Sequence, residues 1–264
     1  MPTPESYEQF WTALKSGKQP AQFASGMLGQ ADDPYGLVQS GVSITVESIL
    51  EAYSKGYFPW GGQDPIPWCA PDPRMLIEVG KPDGCHVSKT LRRVLRQGRF
   101  RVRFDTRFSD VMQACAKTRR PGQEDSTWIS GNLFAVFARL HEMGIAHSVE
   151  VYELRKNEGI ESEFFCGGLY GLVLGKLFCG ESMFSWVANA SKVAMYAMAQ
   201  RLNALGVLVF DCQAYSTHLE SMGATMYSSR TFLREVESLT RPPSPHFNWA
   251  DQSHTDNQLG YDPP

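Results

Sequence analysis

The sequence predicts an α+β fold. The stretch from Phe164 to Lys192 opens as two apolar runs meeting near Gly171, the pattern of a hairpin of buried strands, and turns after Ser185 to helical spacing. F-R-V-R-F (Phe100–Phe104) and A-H-S-V-E-V-Y-E-L (Ala146–Leu154) alternate as strands. Amphipathic segments at helical spacing lie between these strands.

In chain order, Tyr7, Phe10, Trp11 and Leu14 predict a short helix closing at Gly17, followed by a loop-like stretch from Lys18 to Gly41. Thr45 caps the next helix, which has Glu47 in its first turn, Val46, Ile49, Leu50 and Tyr53 inward, and Gly56 at its end. G-Y-F-P-W (Gly56–Trp60) and P-I-P-W-C-A-P-D-P-R (Pro65–Arg74) follow. Their five prolines, Pro59 to Pro73, forbid a helix and impose an extended path. Trp60 and Trp68 on such a path can wedge between domains, the ordinary reading, or stack on a planar ligand.

Ser88 caps a helix with Leu91, Val94 and Leu95 inward and Arg92, Arg93 and Arg96 on the surface. With Lys89, Arg99, Arg101 and Arg103 these cations run from residue 86 to 103 without an acid. A single-signed run across two elements of a slightly acidic protein points to a phosphate backbone, and Arg119 and Arg120 extend it. Phe108, Val111, Met112 and Cys115 mark another helix. S-T-W-I (Ser126–Ile129) is an apolar island before a helix from Leu133 to Met143, which Gly144 ends. The Ala146–Leu154 strand carries Ser148, Glu150 and Tyr152 on one face, and residues 155–163 read as a charged turn.

Gly167, Gly168, Gly171, Gly175 and Gly180 would weaken an ordinary strand, so something must approach this hairpin's backbone closely. Glu181 sits among Phe178, Cys179, Met183 and Phe184, and a purely structural core rarely keeps a carboxylate without a partner. Asn189 is a good N-cap for a helix built on Ala190, Val193, Ala194, Ala197, Met198 and Leu202, up to Gly206. Val207–Gln213 is a buried strand. Asp211 and Gln213, at i and i+2 of an extended segment, point the same way and can bind a reacting group, with Cys212 alternating to the other side. The blander reading has Asp211 capping the turn and Gln213 satisfying backbone groups. His218, Leu219 and Gly223 form a short helix and its exit, Leu233–Leu239 is a last helix, and Arg241 onward is a polar, mobile tail.

Composition narrows the function classes. A chain of 264 residues with 42% hydrophobic residues suits one large domain with a smaller appendage. A net charge of −3 leaves only a local patch for a polyanion. The six cysteines form no C-x-x-C pair, which argues against zinc spacing and a disulfide framework and suits a cytoplasmic protein with reduced thiols. There is no secretory signal, no internal repeat, and no apolar run near the ~20 residues of a membrane helix. His86, His141, His147 and His218 show no HxxxH or HxH spacing, and nothing beyond their types pairs Cys212 with His218 as a nucleophile.

A set of motifs, in order, resembles the leucyl/phenylalanyl-tRNA–protein transferase family. They are A-Y-x-x-G-Y-F-P-W (Ala52–Trp60), P-I-x-W-x-x-P-D-P-R (Pro65–Arg74), H-V-S-K-T-L-R-R (His86–Arg93), T-W-I (Thr127–Ile129) and L-H-E-M-G-I-A-H-S-V-E-V (Leu140–Val151). The series continues with G-G-L-Y-G (Gly167–Gly171), F-C-G-E-S-M-F-S (Phe178–Ser185), A-S-K (Ala190–Lys192), D-C-Q (Asp211–Gln213) and H-L-x-S-M-G-A (His218–Ala224). Together they cover about residues 45 to 235 and are jointly specific, though each alone is weak.

The resemblance implies a GNAT-like (acetyltransferase-like) mixed sheet with flanking helices at 85–240, a small N-terminal domain at 1–84, and the tail at 241–264. It implies transfer of Leu or Phe from aminoacyl-tRNA to the N-terminal Arg or Lys of a protein, marking that protein for degradation. No nucleotide, coenzyme A or metal is required, because the tRNA ester is already activated; the protein would be a cytoplasmic monomer. Asp211 and Gln213 are implied as catalytic. Trp60 and Trp128 would stack on the 3′ adenosine with Trp68 as support, and Glu181 would bind the aminoacyl end. Phe178, Met183 and Phe184, with Ser185 beside them, would form the substrate pocket, and Lys89, Arg92, Arg93, Arg96 and Arg99 would contact tRNA. The chain departs from the family pattern at Cys69 and Ala70, where Trp and Ser are usual, at Trp186, where Arg is common, and at S-G-V-S-I (Ser40–Ile44), where G-G-D-L-S is usual. Two other classes stand beside this one. A non-catalytic tRNA-binding homologue would rest on those departures. An acyl-CoA-dependent acyltransferase would need a Q/R-x-x-G-x-G/A loop before the helix at 190, where the chain reads S-W-V-A-N-A-S.

Overall fold

A computed structural model describes residues 37–39, 43–60, 67–81, 84–118, 129, 131–245 and 249. The expected helix at Tyr7–Leu14, most of the loop before Gly41, and Arg119, Arg120 and Trp128 lie outside the described residues. In chain order the strands are β1 (Leu37–Gln39), β2 (Phe58–Pro59), β3 (Trp68–Cys69), β4 (Arg74–Ile77), β5 (Phe100–Phe104), β6 (Ala146–Asn157), β7 (Ile160–Leu174), β8 (Leu177–Ser185), β9 (Val209–Gln213) and β10 (Thr225–Tyr227). The helices are α1 (Val46–Ser54), α2 (Lys89–Arg96), α3 (Phe108–Lys117), α4 (Gly131–Glu142), α5 (Ala190–Ala204), α6 (Thr217–Ser221) and α7 (Ser229–Thr240).

Local chemistry sets the helix ends. The Ser48 N–H donates to Thr45 Oγ1 at 3.1 Å and the Thr45 N–H to Ser48 Oγ at 2.9 Å, a capping box that starts α1. Ser88 Oγ accepts from the Leu91 N–H at 3.2 Å and starts α2, which buries Leu91, Val94 and Leu95. Asn189 stands at the N-cap of α5, but in the left-handed region and without a side-chain cap bond. Ser185 Oγ instead accepts from the Ser191 N–H at 3.2 Å.

Seven strands form a mixed sheet in the order β10-β4-β9-β8-β7-β6-β5, and β1-β3-β2 form a separate small sheet. Only β8 and β9 run parallel in the large sheet. Helices cover both of its faces. On one, α5 buries Val193, Ala194 and Met198 against Val149, Val151, Leu169 and Val173. On the other, α3 and α4 bury Val111, Met112, Leu133 and Phe137 against Tyr170, Leu172 and Leu177. With cover on both sides, β6 is buried continuously from Ala146 to Glu153 instead of alternating.

Four expectations need correction. The hairpin turns at Gly175, with φ 58°, and not near Gly171. Gly171 lies within β7 at a register shift, where a Cβ would sit 2.2 Å from the Cys179 carbonyl oxygen and 2.5 Å from the Phe178 ring. The close approach is therefore made by the chain's own β8. Residues 155–163 are not a simple turn, because β6 and β7 pair on to Asn157 opposite Ile160 as an exposed ribbon. The segment up to residue 84 does not stand apart, since β4 lies between β9 and β10 in the large sheet. Beyond Arg241 the chain is tied down at two points. Ser244 Oγ accepts from the Gly175 N–H at 2.9 Å. Trp249 is buried, stacked on His147 at 3.9 Å, and its carbonyl accepts from Arg201 Nη2 at 2.8 Å. No described helix is long and apolar enough to cross a membrane.

Candidate active site

A cavity of about 370 Å³ opens where β8 and β9 meet the β2 segment and the loop into α6. Leu169, Met183, Phe210 and Leu219 give it apolar walls; Phe58, Trp60 and Tyr215 add aromatic ones; Glu181, Gln213 and His218 supply polar groups. The parallel pairing of Cys179 with Asp211 explains why two distant motifs meet here. Glu181 and Gln213 each lie two residues further along neighbouring strands that run the same way.

Their side chains touch. Gln213 Nε2 donates to Glu181 Oε1 at 3.1 Å, and the Tyr53 hydroxyl donates to the same oxygen at 2.8 Å. Glu181 Oε2 is covered and has no hydrogen-bond partner among the described residues. Burial pushes the Glu181 carboxyl up to about 8; the Tyr53 bond opposes this, the nearby Asp211 charge adds to it, and Gln213 and Arg74 oppose it. Glu181 is therefore mostly protonated at neutral pH. A carboxyl kept in that state inside a cavity is a candidate functional group.

Asp211 is fully buried and does not line the cavity. Arg74 Nε and Nη2 grip its two oxygens at 2.8 and 2.6 Å, and its Oδ1 also accepts the Gln213 N–H at 2.9 Å. The expectation that Asp211 and Gln213 point the same way fails because the extended backbone ends at Gln213, whose φ is 64°. Asp211 faces Arg74, while Gln213 turns into the cavity. The Asp211 bond to the Gln213 N–H is the turn-capping contact of the blander reading.

Trp60 lines the cavity, its ring 5.8 Å from that of Phe58. Trp68 is buried in the core, as a wedge would be. Met183 lines the cavity, but Phe178 and Phe184 do not. Phe178 packs edge-on to Phe210 at 4.8 Å, and Phe184 packs between Phe165 and Trp186. Both are core anchors of β8, so Leu169, Phe210 and Leu219 take their expected place. Ser185 is exposed and serves the start of α5. Cys212 lines the cavity instead of pointing away, yet burial pushes its thiol well up, so no thiolate is at hand. His218 also lines the cavity, and burial lowers its pKa, keeping the imidazole neutral.

Sequence reasoning missed Tyr53 and Arg74 as site residues. Tyr53 was legible as an inward position of α1, and Arg74 as the last letter of P-D-P-R. Neither carries a local sign that it reaches a carboxylate 128 or 137 residues away.

The basic face divides in two. In α2, Lys89, Arg93 and Arg96 are exposed and Arg92 partly so, with no acid on the helix. The strand cations are matched across the sheet: Arg99 pairs with Glu153, and Arg101 and Arg103 pair with Glu163. Among the described residues no cluster of three or more His, Cys, Asp or Glu is placed to hold a metal.

A family model described as Leucyl/phenylalanyl-tRNA protein transferase matches residues 79–237, and its N-terminal domain model matches residues 43–72. The leucyl/phenylalanyl-tRNA--protein transferase of Dechloromonas aromatica is 42% identical over 222 residues, 83% of this chain and 89% of that one. That of Pseudomonas syringae pv. syringae is 43% identical over 202 residues, 76% and 82% of the two chains. That of Myxococcus xanthus is 38% identical over 225 residues, 85% and 91%. The crystal structure of FemX overlays with a TM-score of 0.46 at 12% identity, over 68% of this chain and 65% of that one, too loosely to bear on the fold. With both family models matched and the cavity built from the segments they cover, the chain belongs to the leucyl/phenylalanyl-tRNA protein transferase family.

Proposed function

We propose that this protein transfers a leucyl or phenylalanyl group from the 3′ end of aminoacyl-tRNA to the α-amine of an N-terminal Arg or Lys on a protein. The observation that carries the reading is the Glu181–Gln213 contact at the end of a largely apolar cavity, in a chain of this family. The amine nitrogen attacks the ester carbonyl carbon, the bond to the ribose oxygen breaks, and the amine's proton ends on that oxygen. The donor is already activated, so the protein's tasks are positioning and proton handling.

Leu169, Met183, Phe210 and Leu219 suit the transferred side chain, and flexible Met183 adapts to either Leu or Phe. Trp60 stacks on the 3′ adenosine, with Trp128 as the expected second platform. Glu181 binds the aminoacyl end. Gln213 gives its NH₂ end to Glu181, which leaves its carbonyl oxygen to accept an N–H of the attacking amine. A strong base is unnecessary, because a free α-amine, with a pKa of about 7.7–8.0, is already partly neutral near pH 7. The cations of α2 contact the tRNA backbone, supported by Arg99. The GNAT-like assignment is supported by the one parallel strand pair, with the cavity at its end. A monomeric state and a cytoplasmic location complete the proposal.

The test supplies phenylalanyl-tRNA or leucyl-tRNA with an Arg-started peptide and reads the product by mass. The peptide should gain one Phe or Leu residue. Absence of transfer from both donors would overturn the reading, and transfer from phenylalanyl-CoA without tRNA would replace it with an acyl-CoA enzyme.

A further inference from the structure

We propose that Arg74 is a positioning residue of the transfer reaction: through Asp211 it fixes the backbone turn that brings Gln213 to Glu181. The inference rests on the cavity being the transfer site. Asp211 takes part by holding the Gln213 backbone N–H and meets no substrate.

Four contacts form a chain. Arg74 binds Asp211 through Nε and Nη2, Asp211 Oδ1 accepts the Gln213 N–H, and Gln213 Nε2 reaches Glu181. Arg74 and Asp211 are 1% and 0% exposed, so neither can meet substrate directly. Gln213 adopts φ 64°, a region that side chains other than glycine enter only when their surroundings hold them there. The Asp211 carboxylate supplies that hold.

Arg74 is itself held by its strand neighbours and by two aromatic rings. Its strand pairs with β9 through Leu76 opposite Asp211 and with β10 through Tyr227 opposite Arg74. Its guanidinium lies 4.7 Å from the Phe58 ring and 5.0 Å from the Phe232 ring. A buried ion pair is weak evidence for stability in itself, because desolvation offsets the attraction. This pair fixes geometry instead: a planar fork orients a carboxylate in a way that a lysine ammonium cannot.

Arg74→Lys, Asp211→Asn and the double variant test the inference, with steady-state transfer from phenylalanyl-tRNA to an Arg-started peptide as the readout. Misplacing a reacting geometry by about 1 Å costs on the order of 100-fold, so Arg74→Lys should slow transfer by roughly 10- to 100-fold. The KM for the peptide and the affinity for tRNA should stay within about twofold. The double variant should be little slower than the slower single one, since both break the same chain. Wild-type kcat in folded Arg74→Lys, or single effects that multiply in the double variant, would overturn the proposal. Should Arg74→Lys fail to fold, Asp211→Asn alone decides: a fall in kcat at unchanged KM supports the clamp, and an unchanged kcat removes it. Wild-type protein that transfers nothing contradicts the proposed function. An active wild type with an unaffected Arg74→Lys contradicts the clamp alone.

Discussion

Replacing Glu181 with Gln should make the protein more stable at neutral and alkaline pH while weakening its function. The folded-state pKa of Glu181 is raised from 4.5 to about 8. The folded protein therefore keeps a proton that the unfolded chain releases, and stability falls as pH rises across that window. Each pH unit between the two values corresponds to about 1.4 kcal/mol. The group thus costs roughly 3 kcal/mol at pH 7 and up to about 5 kcal/mol above pH 8, and nothing at pH 4. Glutamine has the same shape, cannot ionise, and can still accept from Tyr53 and Gln213 through its carbonyl oxygen. Its NH₂ group would take the place of the partnerless Oε2, which returns about 1–3 kcal/mol of the gain at every pH. Urea unfolding of both proteins at pH 5, 6, 7 and 8 isolates the effect, because other titrating groups cancel in the difference. The stability difference should shift in favour of Glu181→Gln by about 1.4 kcal/mol per pH unit, and binding of the aminoacyl end should weaken. A pH-independent difference would refute the raised carboxyl.

Other perturbations address separate parts of the site. Arg92, Arg93 and Arg96 changed together to Glu should weaken tRNA binding steeply and flatten its salt dependence by about 3 in the log–log slope, with circular dichroism unchanged; equal affinity at low and moderate salt would mean the face is merely solvated. Trp60→Ala should lose about 1–3 kcal/mol of affinity for a 3′-terminal adenosine analogue by titration, and normal binding with early melting would show a purely structural wedge. Cys212→Ser should retain transfer, because the thiol is held protonated; an aminoacyl thioester on wild-type protein would point to covalent catalysis.

What the sequence showed in advance was local. Thr45 and Ser88 cap helices through contacts three residues away, and F-R-V-R-F alternates because β5 buries one face and leaves its arginines half-buried on the other. What it hid depends on distant chain. Gly171 is glycine because Phe178 and Cys179 crowd it, not because the hairpin turns there. The strand cations look uncompensated until Glu153 and Glu163 arrive from β6 and β7. Phe178 and Phe184 look like pocket residues from composition, and only the packing of β8 shows them inside the core. The D-C-Q motif was found, but the i, i+2 rule presumed an extended strand that Gln213 does not continue. Trp249 lies beyond the last predicted helix, in a polar context, and its docking on His147 has no local signal.

If transfer occurs at the Glu181–Gln213 pair, loss of the Gln213 amide must slow it. The most direct measurement compares wild type with Gln213→Ala in single-turnover transfer from phenylalanyl-tRNA, with tRNA affinity measured on the same samples. Gln213→Ala should show a slower transfer step at unchanged tRNA affinity. An equal transfer rate in the folded variant would contradict it.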